Sequence, residues 1–394
     1  MRRSALRTRT ATVLAAAGAL ASGVPCASAA AAIDGITLPP GFHIEAYVPD
    51  IPHAREMTLG ADGTLFVGSM GDSGGKVYAV RTAAGTRKVQ IIASGLNTPN
   101  GVTFYKGALY VAEVDRILRY DDIESHLEAP PKPVEVARLP SERQHGWRYI
   151  AFGPDGKLYV PIGAPCNICE RDGFAMITRM NLDGSGRETI ARGVRNTVGF
   201  TWQPHSNLFW FTDNGRDMLG DDIPSDKLNN LHQTGSHFGF PYCHGGDVPD
   251  PEFARGKGEV CAQYVPPAHK LGAHVAALGV KFYTGNAFPE EYRGNMFIAQ
   301  HGSWNRSVPV GYRLMRVRLD GERVVGYEPF ATGWLKADGQ VTGRPVDLLM
   351  LADGSMLVSD DFAGSIYRIS YARGTEARRA LGRKHHTQTG QVRS

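Results

Sequence analysis

A turn carrying Gly or Asn, followed at once by an apolar-x-apolar strand, recurs six times along this 394-residue chain. It reads ADGTLFV at residues 61–67, KGALYV at 106–111 and PDGKLYV at 154–160. It returns as PHSNLFW at 204–210, YRGNMFI at 292–298 and ADGSMLV at 352–358. Several copies are followed by a second strand, such as RILRY at 116–120 and SIYRI at 365–369. The anchors Leu65, Leu109, Leu158, Leu208, Met296 and Leu357 are separated by 44, 49, 50, 88 and 61 residues. The first three spacings suit one four-stranded blade per repeat, and the last two call for insertions. A β-sandwich has no reason to repeat one turn–strand pair six times. The expectation is an all-β, six-bladed β-propeller over residues 31–371, with a long insertion between blades four and five. That insertion lies between Asp213 and Pro289, is rich in Gly, Pro, Asp, His and aromatics, and loops of such length in a compact domain usually serve function.

The two ends read differently from the body. Arg2, Arg3, Arg7 and Arg9 precede a short apolar stretch and an A-x-A-type site at Ala27–Ala29, the pattern of a secretory signal over residues 1–30. The apolar stretch is shorter than the roughly 20 residues of a spanning helix, and no later segment supplies one. An exported protein, periplasmic or secreted and without stable membrane insertion, is expected. Residues 372–394 form a basic tail, expected to be solvated and disordered. The formal charge of +4 resides in these ends, and without them the body carries about −5. That leaves no large basic face for nucleic acid. Four cysteines remain beyond the leader, and an even number in an exported chain suggests the disulfides Cys166–Cys169 and Cys243–Cys261. Glu170 after the C-x-x-C rules out c-type haem attachment.

Three stretches could carry chemistry. RQHGWRYI at 143–150 offers His145, whose imidazole suits general-base work near neutral pH. GVRNTVGF at 193–200 offers Arg195, a permanent cation able to stabilise a developing oxyanion, and Asn196, a further donor. TDNGRDMLGDD at 212–222 is dense in carboxylates and carbonyl-exposing turns, as hard calcium sites are, without the EF-hand spacing. Singly, each has a plainer explanation in a loop hydrogen bond, an inter-blade ion pair or a solvated acidic loop.

Together, in this order, these stretches resemble the quinoprotein glucose and sorbosone dehydrogenases, six-bladed propellers that use pyrroloquinoline quinone with calcium. LPPGF at 38–42, HFGFPY at 237–242 and GRPVD at 343–347 add to the likeness, which spans nearly the whole body. The resemblance implies that His145 is the catalytic base, and that Arg195 and Asn196 contact the quinone carbonyl region. It implies that the carbonyls of Gly215 and Arg216 bind calcium and that Arg344 pairs with a cofactor carboxylate. Departures bear on the substrate. Arg216 stands where the glucose enzymes have Pro, and Val346 replaces a second cofactor Arg. Asn100, beside Pro99, and Gln144 are the candidate substrate contacts. His301 or Arg306 stands in for the family's cofactor lysine.

The reading is a sugar or sugar-aldehyde dehydrogenase, monomeric or homodimeric, passing electrons to an external acceptor. A metal-dependent lactonase on a propeller and a non-catalytic cell-surface binding propeller are the alternatives.

Overall fold

Each motif copy becomes the second strand of an antiparallel sheet. The strands Leu65–Ser69, Ala108–Ala112, Leu158–Ile162, Phe209–Asp213, Met296–Gln300 and Met356–Asp360 are buried along their whole length. A strand with neighbours on both edges and a blade against each face has no solvent side, so it needs apolar or small residues throughout. Outer strands such as Val134–Arg138 are largely exposed. The computed structural model of the protein describes residues 33–372 apart from 72, 73, 84 and 259. The expected secretory signal at 1–30, and the expected tail beyond residue 372, lie outside the described residues.

Six sheets of this kind form the propeller. Their first strands are Ala54–Leu59, Gly101–Tyr105, Ala151–Phe152, Phe200–Trp202, Ala277–Phe282 and Pro345–Met350. These pack against one another around the central axis. The ring is closed by the chain's first strand, Phe42–Val48, which becomes the outermost strand of blade six, Phe42 pairing with Tyr371. Phe42 also meets Phe288 and Phe330 of blade five edge-on, at 4.7 and 5.0 Å between ring centroids. The closure therefore joins blades five and six through one aromatic cluster.

The long insertion departs from its expected position. Residues 232–268 leave after the third strand of blade four, Ser225–Leu231, and return as that blade's fourth strand, His269–Ala273. The excursion therefore lies inside blade four. Its first part, Ser236–His237, adds in parallel to the edge strand Glu188–Arg192 of blade three. Both disulfides, Cys166–Cys169 and Cys243–Cys261, are formed. The helices that lie wholly among the described residues are short 3-10 turns, and none is long or apolar enough to cross a membrane.

Candidate active site

In an antiparallel pair the start of one strand lies beside the end of the next. Every blade therefore delivers the entry to its first strand and the exit from its second to the same end of the ring. A cavity of about 410 Å³ opens there. Gln144, His145 and Trp147 reach it from the approach to blade three, and Arg195 and Asn196 from the approach to blade four. Asn214, Gly215 and Asp217 follow the second strand of blade four, and His301 and Trp304 follow that of blade five. Arg344 and Arg55 come from the starts of blades six and one.

His145 holds a left-handed backbone conformation, φ +52°, uncommon for a residue with a Cβ. Gly163 makes room for it, since a Cβ there would come within 2.6 Å of the His145 Cβ. The His145 Nδ1 lies 2.7 Å from the Ala164 carbonyl oxygen. A carbonyl only accepts, so Nδ1 carries the proton and Nε2 keeps its lone pair. Burial, then the neighbouring cation Arg195, lowers the His145 pKa to about 3. The imidazole is therefore neutral throughout the neutral range rather than titrating near its ordinary value.

Arg195 is buried and fully engaged. Its Nε donates to the Asn167 carbonyl, Nη2 to Asn167 Oδ1 and Asp217 Oδ2, each at 2.9 Å. Nη1 donates to the Gly215 carbonyl at 2.6 Å and the Asn214 carbonyl at 3.3 Å. Burial lowers its pKa, opposed by Asp217 and Asp213. Asn214 Oδ1 is a buried acceptor on the cavity wall without a hydrogen-bond partner among the described residues. Asp226, also on the wall, accepts from the Gly215 and Ala276 amides. Its burial raises its pKa to about 6 despite those two bonds. An orphaned amide oxygen, a buried carboxylate and the Gly215 carbonyl make a hard, oxygen-rich set of the kind that suits calcium. No group of three or more His, Cys, Asp or Glu side chains converges for a metal among the described residues, so carbonyl and amide oxygens would have to contribute.

The opposite wall is cationic. Arg55 Nη1 pairs with Asp361 at 2.8 Å, and His301 Nε2 lies 2.9 Å from the same carboxylate. Burial lowers the His301 pKa to about 4, with Asp361 opposing. Arg344 donates weakly from Nε to the His301 carbonyl at 3.4 Å, and its terminal nitrogens make no hydrogen bond or ion pair among the described residues. With His301 neutral, Arg55, Arg344 and Asp361 leave one net positive charge facing the cavity. Trp147, Trp304, Leu278 and Val198 give the cavity apolar surface between the two walls. A flat, carboxylate-bearing aromatic group fits that combination of open cation and apolar sides.

Several expected residues lie apart from the cavity lining. Asn100 is buried, its Oδ1 accepting from Arg55 Nε at 2.7 Å and its Nδ2 donating to the Arg148 carbonyl at 3.0 Å, so it braces Arg55. Arg306 is bound to the Asp221 carbonyl and Asp222. The Arg216 side chain is buried on Asp250 and Glu252 in the disulfide-bonded insertion. Arg55, Asn167, Asp217 and Asp361 were not singled out from sequence. Asn167 could have been, since the C-x-x-C spacing encloses it.

The family model described as TrAA12-like matches residues 36–372. An uncharacterised protein of Borreliella burgdorferi is 38% identical over 351 residues, covering 85% of this chain and 91% of its own. A pyrroloquinoline quinone-dependent pyranose dehydrogenase of Coprinopsis cinerea is 33% identical over 132 residues, 29% of this chain and 17% of that one. Among solved structures, the holo form of the pyranose dehydrogenase PQQ domain from Coprinopsis cinerea superposes with a TM-score of 0.73 at 20% identity. It covers 85% of this chain and 97% of that domain.

Proposed function

The chain belongs to the TrAA12-like family of quinone-dependent sugar dehydrogenases, and from that membership we propose that it oxidises a sugar or sugar aldehyde with pyrroloquinoline quinone and calcium at the channel mouth. The observation that carries this reading is a neutral His145 with Nε2 free on one wall, facing a cavity whose other wall holds the uncommitted guanidinium of Arg344. When bound, the quinone supplies a two-electron acceptor for hydride and calcium polarises its carbonyl.

The protein's own residues supply the rest. His145 Nε2 would take the proton of the hydroxyl on the carbon being oxidised, a sugar's own or that of a sugar aldehyde's hydrate, and become an imidazolium. The His145 imidazolium would be favoured by carboxylates of a bound cofactor, because nearby negative charge raises a histidine's pKa. Arg344, with Arg55 behind it, would hold a cofactor carboxylate. Gly215, Asn214 and Asp226 would hold calcium. Arg195 would set the potential beside them, and Gln144 and Trp147, both on the cavity wall, would contact the sugar. The sorbosone-type specificity, the electron acceptor and export by residues 1–30 belong to the same proposal, and two disulfides suit an oxidising compartment.

The test is reconstitution of purified protein with quinone and calcium, then a sugar panel with an artificial electron-accepting dye. Quinone binding and dye reduction by at least one sugar or sugar aldehyde are expected. Neither binding nor dye reduction across the panel would overturn the reading and favour the binding-propeller alternative.

A further inference from the structure

The Cys166–Cys169 disulfide closes a four-residue loop, C-N-I-C, that reads from sequence as a local staple. Of the two residues it encloses, Asn167 does more than sit in a turn. Asn167 grips one edge of the Arg195 guanidinium at two points, its carbonyl oxygen taking Nε and its Oδ1 taking Nη2. The same Oδ1 accepts from the Asp217 amide at 2.9 Å, and Nδ2 donates to the Asp217 carbonyl at 3.2 Å. Asn167 therefore joins three pieces of the cavity wall: the loop of blade three, Arg195, and the segment that carries Asn214, Gly215 and Asp217.

The amide orientation is fixed by its partners. Turned over, Nδ2 would face the donors Arg195 Nη2 and the Asp217 amide, and three donor groups would meet with no acceptor. All five N–H groups of Arg195 are placed, two on Asn167 and the other three on Asp217, Asn214 and Gly215. A planar guanidinium held along its Nε–Nη2 edge has one direction left for Nη1, and here that direction is the Gly215 carbonyl. The cation's position beside the candidate calcium carbonyl is thus decided from the far edge, by a residue absent from the cavity lining.

We propose that Asn167, framed by the Cys166–Cys169 disulfide, is the positioning residue that fixes the Arg195 cation against the Gly215 loop. This rests on the quinone-dehydrogenase reading for its catalytic consequence, whereas the grip on Arg195 is independent of it. Asn167→Leu removes all three side-chain bonds at similar size, and Asn167→Asp keeps the acceptor that Arg195 uses. A Cys166→Ser/Cys169→Ser double variant removes the frame and leaves Asn167 in place.

The first readout needs no cofactor: phenylglyoxal labelling of Arg195, followed by peptide mass spectrometry on the folded protein. Arg195 is expected to be protected in the wild type and in Asn167→Asp. It should be labelled about tenfold faster or more in Asn167→Leu, as the loss of the charge-assisted bond from Nη2 implies, and at an intermediate rate in the double serine variant. Wild-type protection in Asn167→Leu overturns the proposal; if that variant fails to fold, wild-type protection in the double serine variant does so. The second readout is quinone titration with calcium by tryptophan fluorescence. Asn167→Leu should weaken binding about tenfold in the wild-type background and have no further effect in an Arg195→Lys background. Additive losses overturn action through Arg195. A wild type that binds no quinone sinks the functional reading instead, while the labelling contrast still decides the positioning role.

Discussion

The two walls of the cavity use the same three residue types, a histidine, an arginine and an aspartate, and differ in what those groups are bonded to. On the wall of blades three and four, His145 donates Nδ1–H to a neutral carbonyl, and Arg195 has every N–H placed. On the wall of blades five, six and one, His301 lies against Asp361, which also holds Arg55, and Arg344 keeps its terminal nitrogens uncommitted. A histidine bonded to a carbonyl presents a lone pair, while one bonded through Nε2 to a carboxylate has that nitrogen occupied. A saturated arginine contributes a fixed field, and an open one contributes a binding site. Under the proposed function, the first wall would serve proton transfer beside a fixed charge, and the second would hold an anion.

The sharpest way to break this contrast is to remove each histidine. His145→Ala should lower kcat about 10²–10⁴-fold, the usual worth of a general base, with quinone affinity nearly unchanged. His145→Gln should not restore turnover, since an amide cannot take the proton to become a cation. His301→Ala should cost stability and some cofactor affinity while leaving most of kcat at saturating quinone. Steady-state kinetics on both variants decides it. If His301→Ala loses turnover and His145→Ala does not, the two walls have exchanged roles.

The aspartates give the next largest contrast. Asp361 and Arg55 side chains are only 4% and 3% exposed. Asp361→Asn strips a buried cation of its partner and should cost about 3–5 kcal/mol of folding stability. Asp217→Asn should cost less, about 1–2 kcal/mol, because Arg195 retains four other acceptors. Urea unfolding measures both, and equal losses would show that the walls are braced alike.

How far these walls were legible in the sequence follows the same division between local and distant. The blades announced themselves because each second strand is buried on both faces and must be apolar, as Leu158–Ile162 is. The insertion was misplaced because the fourth strand of blade four, HKLGA at His269–Ala273, buries only Leu271 and lacks the repeated pattern. Ring closure by Phe42–Val48 was invisible, since its partner strand lies at the far end of the chain. His145, Arg195 and Gly215 stood out within short motifs that a family likeness could mark. Arg55 did not, because its meaning depends on Asp361, 306 residues away. Asn100 and Arg306 were near the right loops in sequence, yet their side chains are committed to Arg55 and to residues 221–222.

Arg344 tests the open cation directly. Arg344→Ala should weaken quinone binding about tenfold or more, since a charge-assisted pair with a carboxylate is worth about 1.5–3 kcal/mol. Folding stability should barely change, because the side chain makes one long bond. Fluorescence titration beside urea unfolding separates the two. Unchanged affinity would assign the cofactor carboxylate to Arg55 or Arg195.

The smallest expected effect concerns protons. Burial lowers the pKa of His145 to about 3 and of His301 to about 4. An unfolded histidine binds its proton near pH 6.5, so below that value the unfolded chain holds protons the native protein lacks. Unfolding free energy therefore falls as pH drops from 7, and the loss ends only as each folded pKa is reached. Between pH 7 and pH 6 each histidine should contribute about 0.7 kcal/mol of that loss. Asp226 and Asp360, raised to about 6 by burial, act with the opposite sign from about pH 6 downward and are common to every variant compared. His145→Gln and His301→Gln should each flatten the acid-side slope by that amount, measured by urea unfolding at the two pH values. Because the depressions arise mainly from burial on both walls, the two flattenings should match. If His145→Gln keeps the wild-type slope, its imidazole titrates as an exposed one does, and the fixed tautomer assigned to it is wrong.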